Sequence, residues 1–313
     1  MKPVRVGLVG AGPWAEMVHA PLLTGGPETE LAGVWARRHE SALELAQPYG
    51  AVAYSSLEEL LDDVDAVAFA VPPAVQAELA LQAAAAGKPV LLEKPLGDDV
   101  AGAEALVKAL DVAGVLSVVT LSYRFAPAVR RFLKEASSFE VRGGRAHFIT
   151  GALLGGAFAT PWRIEKGALL DIGPHAIDLL EAAVGPVAAV KATHGSRDWT
   201  AVTLEHEGGQ VTQVSLCSHA GVDPLQIGLD LFGTQGVRSL DVTKAMGPIF
   251  GEAIASGSKP LGAAEAFSTL RAEFAQVVRS GEPHELDATY ALRLQRILAE
   301  AEHQLTVPPG RVE

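Results

Sequence analysis

Between Val4 and Leu121 the chain alternates short apolar, β-branched runs with stretches of helical spacing, and no other feature restricts its fold so strongly. The runs are Val4–Val9, Leu31–Trp35, Ala66–Val71, Pro89–Leu92 and Leu116–Leu121, with a weaker one at Ala51–Ala53. Helical patterns fall between them at Ser41–Gln47, Leu57–Leu61, Gln76–Ala86 and Ala101–Ala113. Runs that are apolar throughout, rather than at every second residue, suit strands covered on both faces, and strands linked through helices pair in parallel. This part of the chain is therefore expected to be α/β, a doubly wound parallel sheet.

After Pro127 the rhythm changes. A helix to Ala136 precedes longer strand-like segments near Arg145–Thr150, Val187–Thr193, Trp199–His206, Gln210–Ser218, Leu225–Phe232 and Val237–Leu240. Turns such as Glu207-Gly208-Gly209 between consecutive segments predict a mostly antiparallel open sheet. Phe267, Leu270, Phe274 and Val277, then Tyr290, Leu294, Ile297 and Leu298, recur at the spacing of helices facing a core, with Gly281 and Pro283 between the two sets. A chain of 313 residues with 49% hydrophobic side chains is expected to form two cores. They are an α/β domain over 1–122 and an α+β domain over 123–313. In the latter Leu225, Ile227, Leu229 and Leu231 alternate with Gln226, Gly228, Asp230 and Phe232. That sheet is the expected surface for a homo-oligomer, a dimer or tetramer.

Charge and cysteine usage exclude several classes. With 25 basic against 37 acidic side chains, a net charge of −12 and no basic run, nucleic acid is not an expected partner. The apolar stretch Ala66–Ala74 is broken by Pro72 and Pro73 and falls far short of a bilayer span. No secretory pattern precedes Val4, so a cytoplasmic location is expected. Cys217 stands alone, which rules out an intrachain disulfide or a multi-thiolate zinc site, and no cluster has metal-ligand spacing.

Directly after the first run stands Gly10-Ala11-Gly12-Pro13-Trp14-Ala15, a G-x-G-x-x-A turn leading into helix. Such glycines let backbone N–H groups approach a pyrophosphate at a helix N-terminus, and proline is tolerated in the first helical turn. The alternative is a glycine-rich turn with no ligand. A dinucleotide site selective for NAD usually offers a carboxylate after the second strand to the ribose hydroxyls, whereas this chain has Ala36-Arg37-Arg38. Alanine accepts no hydrogen bond, and guanidinium groups suit a 2′-phosphate. NADP(H) is therefore expected to be preferred, with NAD(H) admissible if the arginines are surface groups or stack on adenine.

Asp171, His175 and Asp178 are spaced i, i+4 and i+7, the spacing of one helix face, with Pro174 confined to the first turn of such a helix. Moving hydride to or from an alcohol carbon requires a group that takes or gives the hydroxyl proton, and His175 and a desolvated Lys94 are suited to it. Asp171 can orient the reacting hydroxyl or the imidazole. Asp178 is read as structural. Tyr123 and Arg124 either line a substrate cleft or bridge the domains, and Trp162 and Arg163 either meet substrate hydroxyls or pack under a loop. His19 is assigned to packing. If Lys94 and His175 act together, both domains must face one cleft.

From Glu93-Lys94-Pro95 onward the chain resembles the Gfo/Idh/MocA oxidoreductases, typified by glucose-fructose oxidoreductase and inositol dehydrogenase. The likeness takes in the Gly10–Ala15 turn, Val71-Pro72-Pro73, Gly87-Lys88-Pro89-Val90, Tyr123-Arg124-Phe125, Trp162-Arg163 and Asp171-Ile172-Gly173-Pro174-His175. It implies a Rossmann domain, a nicotinamide cofactor touched also by Val71, Pro72, Glu93 and Lys94, and a small sugar or cyclitol substrate. Catalytic roles for Lys94, Asp171 and His175 follow from it too. Two departures stand out: Gln76 replaces the usual histidine, and only Gly167 remains of the glycines that ordinarily precede the D-x-G-x-H element. A dinucleotide-sensing regulatory protein without catalysis is the second reading.

Overall fold

The computed structural model describes residues 1–156, 159–195, 198–222, 225–247 and 265–306. The chain divides into two compact units, Met1–Phe125 with Ser258–Arg293, and Ala126–Gly257 with Leu294–Glu313.

The first unit is built on six parallel strands, β1 (Val4–Val9), β2 (Thr29–Trp35), β3 (Val52–Ala53), β4 (Ala66–Phe69), β5 (Val90–Leu92) and β6 (Ser117–Val119), in the order β3-β2-β1-β4-β5-β6. The strands at its centre are largely apolar because both faces are covered: Val6, Leu8, Val9 and the whole of β4 have no exposed surface. Helices α1 (Ala20–Thr24), α2 (His39–Ala46), α3 (Leu57–Asp63), α4 (Pro73–Ala85) and α5 (Val100–Ala113) supply the connections. Local chemistry sets their ends. Ser56 caps α3 by accepting the Glu59 N–H, Asp99 caps α5 by accepting that of Gly102, and Gly114 ends α5 in the left-handed conformation.

Chain from near the far end completes this unit. Helix α10 (Glu265–Ser280) packs on α1 and β2, and the Val119 N–H donates to Leu286 O at 2.8 Å. Arg271 Nε pairs with Glu28 Oε2 at 2.8 Å and its Nη1 donates to Leu22 O at 3.2 Å. That hydrogen bond holds the Glu28 carboxyl below the usual carboxylate range. Residues 265–293 were expected within a domain running from 123 to 313. Their amphipathic pattern marks a core-facing helix without saying which core it faces.

The second unit holds a six-stranded sheet of β7 (Val141–Ile149), β8 (Val187–His194), β9 (Thr200–His206), β10 (Val211–Cys217), β11 (Gln226–Gly233) and β12 (Gly236–Asp241), ordered β12-β11-β7-β10-β9-β8. Every neighbouring pair is antiparallel except β7 with β10. Around it lie α6 (Pro127–Ala136), α7 (Pro161–Asp171), α8 (Gly173–Val184), α9 (Val242–Ala245) and, across the boundary of the units, α11 (Ala288–Thr306). Val202, Val214, Ala146, Leu229 and Leu240 pair in register across five strands and are all buried, with α7 and α8 packed on the middle of the sheet. Among the described residues no helix is long and apolar enough to cross a membrane, and no group of three metal-ligating side chains occurs.

Candidate active site

In the first unit a cleft of about 560 Å³ opens where β1, β2 and β4 end. The C-terminal edge of a parallel sheet is where ligands bind in such folds. Gly10 closes the turn after β1 at φ 115°, and a Cβ there would stand 2.3 Å from Ala70 O, so only glycine fits. Gly12 has the opposite surroundings: nothing lies within 4 Å of where its Cβ would be. Its absent side chain thus leaves backbone open on the cleft, as close approach of a pyrophosphate requires.

Of the residues expected to hold cofactor, Gly10, Ala11, Gly12, Ala36, Arg37, Arg38, Val71 and Pro72 line this one cleft. Arg37 and Arg38 are exposed at its rim, and among the described residues neither guanidinium makes an ion pair or side-chain hydrogen bond. Trp35, Ser41, Ala70, Val75 and Leu79 also line it and were not singled out in the sequence. Val75 and Leu79 are four apart on α4, a spacing that any core-facing helix shares. The residues present fit a dinucleotide.

Pro13, Trp14, Glu93 and Lys94 are not among the lining residues. Pro13 is exposed at the helical start after the turn, which continues as a π-helical turn, Ala15–His19. Trp14 Nε1 donates to Glu93 Oε1 at 2.8 Å, and His19 Nε2 lies 2.8 Å from the same oxygen. The Glu93 carboxylate therefore meets protein donors rather than the cleft. Lys94 follows β5 and is half-buried. Gln76 is fully buried and grips the main chain on either side of it: Nε2 donates to Glu93 O at 2.8 Å and Leu96 O at 3.1 Å, while Oε1 accepts the Glu93 N–H at 2.8 Å. Tyr123 and Arg124 are buried in a 3₁₀ turn, and Arg124 Nη2 pairs at 3.3 Å with Glu285 of the same unit.

In the second unit the expected single helix bearing Asp171, His175 and Asp178 is two helices. Asp171 is the last residue of α7, and His175 is the third of α8, after Gly173 and Pro174. Proline cannot continue an interior turn, so the helix restarts there. Asp171 and His175 are nonetheless both buried, at 4% and 8% exposure, as is Asp178. Arg163 Nε stands 3.7 Å from Asp171 Oδ1, and its guanidinium lies 5.4 Å from the Trp162 ring centroid. This gathers Trp162, Arg163 and Asp171 into one cluster.

Asp198 was not anticipated. Its Oδ1 accepts the Ala168 N–H at 2.9 Å, and its Oδ2 accepts the Ser218 N–H at 2.8 Å and His219 Nδ1–H at 2.9 Å. It thereby fixes the bend at Gly167 (φ 65°), where a Cβ would stand 2.9 Å from Asp198 Oδ1. That contact accounts for the one glycine retained ahead of Asp171.

Comparison with known proteins agrees with this architecture. Residues 4–121 match the oxidoreductase family with NAD-binding Rossmann fold of the Gfo/Idh/MocA group, and residues 128–238 match the GFO/IDH/MocA C-terminal domain. A dTDP-3,4-didehydro-2,6-dideoxy-alpha-D-glucose 3-reductase of Actinomadura kijaniata is 33% identical over 180 residues, 56% of this chain and 54% of that protein. The chain thus aligns with only about half of that relative. The trans-1,2-dihydrobenzene-1,2-diol dehydrogenase of Mus musculus is 32% identical over 66% of each chain. The structure of GenD2 from gentamicin A biosynthesis, in complex with NAD, superposes with a TM-score of 0.84 at 25% identity over 97% of this chain and 94% of that one. Fold and turn together define a Rossmann-type protein with an α+β second domain. The chain belongs to the Gfo/Idh/MocA oxidoreductase family.

Proposed function

We propose that the protein is an NAD(P)-dependent dehydrogenase or reductase that moves hydride between the nicotinamide and a secondary alcohol or ketone of a sugar, cyclitol or related polyol. The observation that carries this reading is the retention of three proton-handling groups, each placed by the end of an element: Lys94 after β5, Asp171 closing α7 and His175 in the first turn of α8. A protein that only sensed a dinucleotide has no need of them. The bound dinucleotide supplies the hydride donor or acceptor. Gly10–Gly12 and Arg37–Arg38 hold its phosphates, with the arginines favouring NADP(H). Lys94 and His175 give or take the hydroxyl proton, and Asp171, steadied by Arg163, orients the reacting hydroxyl or the imidazole. Tyr123, Arg124 and Trp162 are assigned to substrate contact. The sugar class is supported by the dTDP-sugar 3-reductase among the relatives.

A panel of sugars, inositols and sugar acids assayed with both cofactors tests the proposal. With a substrate so found, Lys94→Ala and His175→Ala are expected to keep cofactor affinity while single-turnover hydride transfer falls by roughly 10²–10⁴-fold, the loss typical of a general acid–base group. Parent-rate turnover by Lys94→Ala overturns the assignment. Absence of turnover across the panel, with tight dinucleotide binding, favours the sensor.

A further inference from the structure

Glu93 joins three segments of the first unit. Its carboxylate takes the Trp14 indole N–H and meets His19 Nε2, both at 2.8 Å on one oxygen, while its backbone N–H and C=O are held by Gln76. Trp14 belongs to the glycine turn, His19 to the π-helical turn behind it, and Gln76 to α4. His19 and Gln76 have no exposed surface, and Glu93 is 8% exposed. His19 Nδ1 has no hydrogen-bond partner among the described residues. Nε2 therefore carries the proton and donates to Glu93, which fixes the direction of the contact.

Burying a carboxylate, an imidazole and a carboxamide together is a poor way to stabilise a core, because well-packed apolar side chains of the same volume commonly do as well or better. What such a network offers instead is direction. Gln76 fixes the main chain at Glu93 and at Leu96, so the backbone of Lys94 lies between two anchored points. The glycine turn reaches the same segment through Trp14 and the Glu93 carboxylate. A shift of Trp14 when phosphates engage the turn must therefore strain or relax the bond to the residue next to Lys94.

We propose that Glu93 and Gln76 are positioning residues that couple occupation of the phosphate-binding turn to the placement of Lys94. The inference rests on the assignment of Lys94 made above. It also gives Gln76 its role: a carboxamide both donates and accepts at fixed separation, matching the Glu93 C=O and N–H that it holds.

Two measurements test it. In the first, amide hydrogen exchange of residues 93–97 is followed with ADP-ribose and its 2′-phosphate, which carry the pyrophosphate but no nicotinamide and so do not place that ring near Lys94. The parent is expected to show slower exchange in this segment on binding. Glu93→Gln, which replaces the carboxylate oxygen that both donors share with the weaker, neutral oxygen of a carboxamide, is expected to bind equally well without that response. Slowing that persists in Glu93→Gln, or is absent in the parent, overturns the coupling. In the second, Glu93→Gln and Gln76→Glu are each expected to lower the hydride-transfer rate by roughly 10- to 10²-fold with KM little changed, the penalty of a displaced catalytic group. Neither is expected to lower it further in a Lys94→Ala background, because both act through Lys94. Additive losses overturn the positioning role. A parent rate for Lys94→Ala alone instead removes the premise, so the two failures are told apart. If Gln76→Glu does not fold, Glu93→Gln carries the cycle.

Discussion

Arg37 and Arg38 stand exposed at the rim of the first cleft with no carboxylate partner among the described residues, so their charge is available to a ligand. Arg37→Ala is expected to weaken NADP(H) selectively, because only that cofactor presents a phosphate dianion to a guanidinium. Titration of both cofactors into parent and variant checks this, and an equal loss for both refutes it. His206 behaves differently, for it is buried within its own unit. Its Nδ1–H donates to Gly185 O at 2.7 Å and Nε2 accepts the Thr212 hydroxyl at 2.9 Å, so the ring is held neutral, and burial pushes its pKa below the usual histidine value. The unfolded chain then binds the extra proton first. Stability is fully present above the ordinary pKa of about 6.5 and is lost as pH falls through it towards the folded value. Urea unfolding at a series of pH values is expected to show this decline in the parent and a flatter profile in His206→Gln. Among single residues, the glycine turn and Arg37 line one cleft as the sequence led us to expect, because their placement follows from the local strand-to-helix pattern. The contacts of Glu93, Gln76 and Asp198 were not, since each depends on partners at least seventeen positions away.

At the scale of elements, β1 was read to the residue because a short, mostly apolar and β-branched run, interrupted only by Arg5, signals a central strand. The parallel pairing of β10 with β7 left no trace, since nothing in either strand names a neighbour some seventy residues distant. The break between α7 and α8 was present in Gly173-Pro174 but was overridden by the regular spacing of Asp171, His175 and Asp178. The alternation in β11 had suggested an interface, yet Ile227, Leu229 and Leu231 are consumed by the unit's own core. The opposite face carries Thr203, Gln213, Arg145, Asp230 and Ser239 in register across five strands, with Phe232 and Val211 exposed beside them. Arg145 pairs with Asp230 at 3.0 Å and lies 5.6 Å from the Phe232 ring centroid. Self-association through this sheet remains our proposal, now with a polar and partly aromatic surface. Sedimentation of the parent as a dimer or tetramer at micromolar concentration, shifted towards monomer by Arg145→Glu, is the expected outcome. A monomeric parent contradicts it.

For the molecule as a whole, the governing fact is that neither unit is one continuous stretch of chain. The first unit takes Phe267, Leu270 and Phe274 from α10, all at most 1% exposed. Three fully buried side chains are worth about 5–9 kcal/mol at roughly 1.5–3 each, as large as the total stability of many domains. A fragment of residues 1–125 is therefore expected to be unfolded or molten by circular dichroism, and one with residues 265–293 joined to it is expected to unfold cooperatively. A cooperative transition of the short fragment refutes this. The same routing has a consequence during synthesis. The parallel sheet leaves the ribosome before most of the second unit but waits for its covering helix until Glu265–Ser280 has emerged as well, so the part begun earlier is finished late. In the interval the nascent chain presents an uncovered apolar surface beside β2, and the cell's chaperones have most to do at that stage.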